Sequence, residues 1–120
     1  MTYDEIKNAL SLVQSPIEKL EFVMELGRGL VAVPDGAVCS EIKGCASFVQ
    51  ICRKENNFYA TADSGLVRGI VAIIIAMVDG KTPEQIKNMD LDSEFSSLNL
   101  NLGVGRLNGV NSMIRFLKNL

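Results

Sequence analysis

The sequence contains no histidine, and that absence excludes more chemistry than any other feature of its composition. Ser-His and Cys-His nucleophile pairs and His-based metal sites are impossible, so a general base has to be Asp, Glu, Lys, Tyr or Cys. Cysteine is scarce and odd in number, with Cys39, Cys45 and Cys52 at C-x5-C-x6-C spacing. This matches neither an even-numbered disulfide framework nor the tight pairs of a zinc ribbon, and reduced thiols in a cytoplasmic protein are expected. An excess of either charge is also lacking. Twelve Lys and Arg stand against 14 Asp and Glu, a net charge of −2, which argues against a nucleic-acid partner held by phosphate neutralisation.

Long apolar runs are missing too. The most apolar segment, residues 69–78 (GIVAIIIAMV), is bounded by Arg68 and Asp79, and a bilayer span needs roughly 20 apolar residues. It reads as a buried helix, and no membrane partner is expected. The first ten residues carry early acids and no long apolar core, unlike a secretory signal. With no low-complexity linker, internal repeat or charged tail, a single domain over residues 1–120 is expected. A chain of this length buries roughly two-thirds of its unfolded surface, enough for a core without disulfides or a structural metal.

What is present is a series of helix-start signals. Thr2-Tyr3-Asp4-Glu5 has the Thr-x-x-Glu form of a capping box, followed by Ile6, Leu10 and Val13 at helical spacing. Ser15-Pro16-Ile17-Glu18 repeats the signal, with Gly27 or Gly29 ending the helix, and the two helices are expected to form a hairpin. From Ala37 the pattern changes to alternating Val and Ile, giving strands at 38–42, 47–53 and 58–62, the last two joined by a turn at Glu55-Asn56-Asn57. Asp63-Ser64 is positioned to cap the apolar helix, and Thr82-Pro83-Glu84-Gln85 starts a short one. Asp92-Ser93 opens a loop, and Val110, Met113, Ile114 and Leu117 mark a final helix. Helices, then strands, then helices make an α+β domain built on a small antiparallel three-stranded sheet.

Cys45 falls on the connection between the first two strands. A cysteine acts as a nucleophile only as thiolate, which requires access and positive surroundings; Gly44 removes bulk there and Lys43 supplies charge. Against this stands the ordinary reading of a free cysteine as a small buried hydrophobe. Cys52, inside a strand, reads as packing, whereas Cys39 is open to three readings: resolving an oxidised Cys45, sharing a soft metal with it, or neither. Gly103-Val104-Gly105 is not a phosphate loop, because no strand precedes it and no Gly-Lys-Ser/Thr follows. Asp63 and Asp79 read as helix-terminal residues.

Four segments taken together resemble the SufE family: Gly44-Cys45-Ala46-Ser47, Ala62-Asp63-Ser64-Gly65-Leu66-Val67-Arg68-Gly69, Asp79-Gly80-Lys81-Thr82-Pro83 and Arg106-Leu107-Asn108-Gly109. They follow the family's order and spacing over residues 16–118. Departures are Ala46 in place of Gln, Gln50 in place of Trp, Asn101-Leu102-Gly103-Val104-Gly105 in place of a His-Leu-Ser-Pro-Ser type run, a shorter N-terminal region and an additional Cys39. The resemblance implies a small antiparallel sheet covered by helices. It also implies a non-enzymatic sulfur acceptor and activator for a pyridoxal-phosphate-dependent cysteine desulfurase, feeding the iron–sulfur scaffold machinery of the cytoplasm with no cofactor or metal of its own. Cys45 matches the family's acceptor cysteine and is expected to carry the persulfide. Arg106 and Asn108 match the last motif and are expected to shape the Cys45 loop or dock the desulfurase, with Arg106 favouring the thiolate by charge. Asp63 and Arg68 match positions of structural character. Whether the chain is a monomer or a homodimer is left open. The alternative is an iron–sulfur or zinc scaffold using Cys39 and Cys45, and a third reading is a redox sensor in which Cys39 resolves Cys45.

Overall fold

A computed structural model describes residues 1–120 as six helices around one sheet. In chain order the elements are α1 (Tyr3–Leu12), α2 (Pro16–Arg28), β1 (Val38–Glu41), β2 (Val49–Lys54), β3 (Asn57–Ala62), α3 (Gly65–Val78), α4 (Pro83–Lys87), α5 (Leu91–Ser96) and α6 (Val104–Lys118). The sheet is antiparallel with order β1-β2-β3, the expected α+β class.

The caps form where the sequence puts them. The Thr2 hydroxyl accepts from the Glu5 backbone N–H while the Glu5 carboxylate accepts from that of Thr2, and Thr82 and Gln85 make the same reciprocal pair at α4. Ser15 caps α2, with Pro16 at the first helical position. Ser64 occupies the N-cap position of α3 but makes no side-chain capping bond, contrary to expectation. The loop expected at Asp92-Ser93 is instead the short helix α5, started by Asp90, whose carboxylate accepts from the Ser93 N–H.

Helix α3 is the centre of the molecule. Ile70, Val71, Ile73, Ile74, Met77 and Val78 are buried, on the sheet side and the helix side alike. Helices α1 and α2 each pack on α3 more than on each other, so the expected N-terminal hairpin does not form. The α2–α3 crossing is a backbone contact. A Cβ on Gly69 would sit on the Val23 carbonyl oxygen, and one on Gly27 would lie 2.6 Å from the Gly69 nitrogen. Gly27 therefore belongs to the crossing, and Gly29 is the C-cap.

At its other end α3 holds the sheet. The Asp79 carboxylate accepts from the Phe58 N–H at 3.0 Å, and the Gly80 N–H donates to the Asn56 carbonyl at 2.8 Å. The turn of the β2–β3 hairpin is thereby fastened to the helix C-terminus. Val49, Ile51, Phe58, Ala60 and Ala62 face the helices and are buried.

Cys39 and Cys52 stand directly opposite each other across β1 and β2, on the face away from the helices, and are joined as a disulfide. The expectation of three reduced thiols is thus corrected. The pairing depends on strand register, which spacing alone does not reveal.

Gly69→Ala is expected to destabilise the fold by about 3 kcal/mol, since an added methyl meets backbone that cannot yield. Urea unfolding, with Gly105→Ala as a control whose added Cβ meets nothing within 4 Å, checks this. A Gly69→Ala midpoint equal to that of the parent chain would contradict the crossing.

Candidate functional site

The connection between β1 and β2, residues 42–48, is short but fixed at both ends. Ile42 is buried and its N–H donates to the Val49 carbonyl at 2.8 Å; at the far end the Asp63 N–H donates to the Phe48 carbonyl at 3.3 Å. Gly44 turns the chain with φ +91°, a left-handed conformation that disfavours side chains, and any Cβ there would lie 2.5 Å from the Ser112 hydroxyl of α6. Both constraints select glycine, and together they bring the following residue against α6.

That residue is Cys45, the only free cysteine, half-buried. Its Sγ lies 3.8 Å from the Gly109 carbonyl oxygen, a weak S–H···O contact, and a Cβ on Gly109 would stand 3.3 Å from the sulfur. Gly109 is thus the seat of the Cys45 side chain, a role not expected from the sequence. The signal was present: a glycine inside the apolar period of a helix costs about 1 kcal/mol relative to alanine and marks a close approach.

Around the sulfur is a cavity of about 50 Å³, walled by Val67 and Ile70 from α3 and by Gly105, Arg106, Gly109 and Met113 from α6. The lining is apolar except for Arg106 and the connection itself. Burial pushes the Cys45 thiol above its ordinary pKa. Neither expected cation reverses this. Lys43 is exposed and reaches back to the Glu41 carboxylate at 3.6 Å, while Arg106 donates to the Leu102 carbonyl at 3.4 Å, closing the turn before α6. The expectation that these charges favour the thiolate is corrected: at rest, burial prevails.

The other predicted residues separate. Asn108 is exposed, and its backbone carbonyl accepts from the Ser112 hydroxyl at 3.1 Å, so it acts on the hydroxyl that Gly44 accommodates. Asp63 ties down the end of the connection through its backbone N–H. Arg68 is exposed and lies next to Gly27 at the α2–α3 crossing. Cys39 does not join Cys45. Its sulfur is bonded to Cys52, so the pairings of Cys39 with Cys45, as metal ligands or as a redox couple, are absent from this arrangement. No three His, Cys, Asp or Glu side chains converge as a metal-ligand set.

A family model described as "Fe-S metabolism associated domain", SufE, matches residues 4–120. The chain belongs to the SufE family. A SufE-like protein of Rhizobium meliloti is 31% identical over 127 aligned positions, covering 96% of this chain and 91% of the relative. The solution structure of a hypothetical protein from Thermus thermophilus shares the fold with a TM-score of 0.62 at 16% identity, covering 99% of this chain and 94% of that one. Membership places this SufE-family chain in iron–sulfur metabolism. The four motifs that suggested the family acquire physical meaning here: Gly44 and Gly109 make room for the thiol, Gly69 for the helix crossing, and Asp79 holds β3. No helix is long and apolar enough to cross a membrane.

Without reductant, iodoacetamide is expected to label one cysteine per chain, Cys45. Only thiolate reacts, and folding raises the thiol's pKa, so at neutral pH the folded chain should label more slowly than the urea-unfolded chain. Its rate should climb as pH rises through the raised value. Peptide mapping and rate measurement across pH check both statements.

Proposed function

We propose that the chain accepts sulfur as a persulfide on Cys45 from a pyridoxal-phosphate-dependent cysteine desulfurase, activates that enzyme by removing its sulfur, and passes the sulfur on to iron–sulfur cluster assembly. The observation that carries this reading is a single free thiol on a connection pinned at both ends, facing a small apolar cavity with room for an added atom. A cavity of about 50 Å³ exceeds the minimum of roughly 10–15 Å³ that one water-sized sphere occupies, so one further sulfur fits beside Cys45.

The chemistry suits a chain without histidine. The Cys45 thiolate attacks the outer sulfur of the desulfurase persulfide, a bond forms between Cys45 Sγ and that sulfur, and the desulfurase thiolate leaves with the electrons of the broken S–S bond. No oxidant and no resident general base are required. Because the resting thiol is held protonated by burial, transfer needs Cys45 to leave its seat on Gly109 for the partner's surroundings. Docking has a surface to use: Phe48 follows Cys45 by three residues, and Val104 and Leu107 flank Gly105 and Arg106. All three leave apolar side chains exposed on the elements that frame the cavity. Arg106 and Asn108, exposed on the same helix, serve as polar contacts to the desulfurase.

Incubation with a cysteine desulfurase and L-cysteine, followed by intact mass and peptide mapping, tests the proposal. The expected result is a reductant-sensitive gain of one sulfur on Cys45, abolished in Cys45→Ser and retained when Cys39 and Cys52 are both serine. Absence of sulfur on Cys45 with every desulfurase of the source organism would end this reading. In Leu107→Glu, a charge in the apolar surface is expected to weaken desulfurase activation by about tenfold, equivalent to roughly 1.4 kcal/mol of docking energy, with unchanged iodoacetamide labelling of Cys45.

A further inference from the structure

The disulfide has no part in the proposed transfer, yet it lies across the two strands that carry the transferring residue. Cys39 and Cys52 are directly opposed in register, with Cα atoms 4.0 Å apart, and the covalent ring they close contains the whole Cys45 connection. We propose that this disulfide is a thiol-exchange site for a dithiol protein reductant, opened at Cys39, and that its opening frees β1 and with it the Cys45 connection.

Three observations support the proposal. The first is asymmetry. Cys52 is fully buried, whereas Cys39 is exposed on the sheet face that no helix covers. An attacking thiolate therefore reaches the Cys39 sulfur, and the buried Cys52 is the leaving group. The second is how little else holds β1. It is a four-residue edge strand paired only with β2, and none of its side chains is buried. The apolar core of 25 buried residues includes no residue of β1. The third is the pair of glycines at its ends. Gly36 at φ +85° and Gly44 at φ +91° bracket the strand, two positions where the backbone turns with little resistance. A strand of this kind, held to its neighbour by a four-residue ladder and one covalent bond, is a clasp.

The chemistry balances. One thiolate of the reductant attacks Cys39 Sγ, the Cys39–Cys52 bond breaks, and Cys52 departs as a thiolate that takes a proton from water. The second thiol of the reductant then attacks the mixed disulfide and releases Cys39. Two electrons pass from the reductant, which becomes a disulfide, to the pair of cysteines. When the ring is open, β1 separates from β2, the anchor at Ile42 loosens, and Cys45 leaves Gly109 more readily. The inference takes its purpose from the sulfur-acceptor reading, since transfer requires Cys45 to leave its seat on Gly109.

Two measurements test it, and neither uses a desulfurase. In the first, the rate of Cys45 alkylation is followed by peptide mapping in the oxidised chain, in the chain reduced and freed of reductant, and in the Cys39→Ser/Cys52→Ser chain. Both open forms should alkylate Cys45 faster by about an order of magnitude, well within what the entropy released by opening a ring of this size allows. Amide exchange over residues 38–48 should quicken in parallel. Equal Cys45 rates in the oxidised and reduced parent chain would overturn the clasp even if the double variant failed to fold. In the second, a thioredoxin-class protein with its second active-site cysteine replaced by serine is mixed with the oxidised Cys45→Ser chain. A trapped mixed disulfide on Cys39 supports the exchange site, while capture on Cys52, or no capture, overturns it. Failure of either result leaves sulfur loading of Cys45 untouched, and failure of sulfur loading leaves these two results standing.

Discussion

The arrangement depends on a contact between two helix backbones. At the α2–α3 crossing a hydrogen atom on Gly69 faces the Val23 carbonyl, and the helices come closer than any side chain would permit. That approach lets α3 sit deep enough to pack one side on the sheet and another on the N-terminal helices, which is why hardly any of its side chains is polar. The same helix then holds the sheet from its C-terminus through Asp79 and Gly80. Helix layer, sheet and hairpin turn therefore share one rigid reference. Against it, α6 is set so that Gly109 and Ser112 receive the connection between β1 and β2.

The candidate site follows from two further glycines. Gly44 and Gly109 remove bulk on either side of Cys45, and the thiol settles into the space at the cost of its ionisation. A sulfur kept this way is shielded from small oxidants and alkylating agents, because the thiolate is the species they attack. Protection and readiness are opposed, and here protection dominates at rest. The exposed apolar side chains of Phe48, Val104 and Leu107 lie on the elements that a partner would have to meet in order to reverse that balance.

Much of the fold was legible because its signals are local. The capping boxes at Thr2 and Thr82, the Ser15-Pro16 start and the apolar period of α3 each specify structure within four residues of themselves, and all appear in the molecule. What was not legible is what depends on distant partners. Asp90 caps α5 with too few apolar residues to show a period, and α1 turns to α3 instead of α2 because α3 offers the larger apolar surface. The Cys39–Cys52 bond follows from a strand register that a C-x5-C-x6-C spacing does not encode. Cys45 itself could be placed on a connection from the strand pattern, but its distinction from an ordinary buried cysteine came from the company of four motifs. The glycine that seats it looked like part of a helix.

Strand β1 also has a role for its neighbour. It is short, two of its four residues are the polar Ser40 and Glu41, and the Lys43–Glu41 ion pair lies at its end. Such an edge is poorly suited to adding a strand from another molecule. Behind it is β2, six residues long and carrying the buried Val49, Ile51 and Cys52. While β1 is in place, the hydrogen-bonding groups along that side of β2 are occupied, so β1 shields the central strand of the sheet from self-association. A chain that lost β1 would present an edge half as long again as the one it has, and would have to be kept dilute or promptly engaged by a partner to remain dispersed.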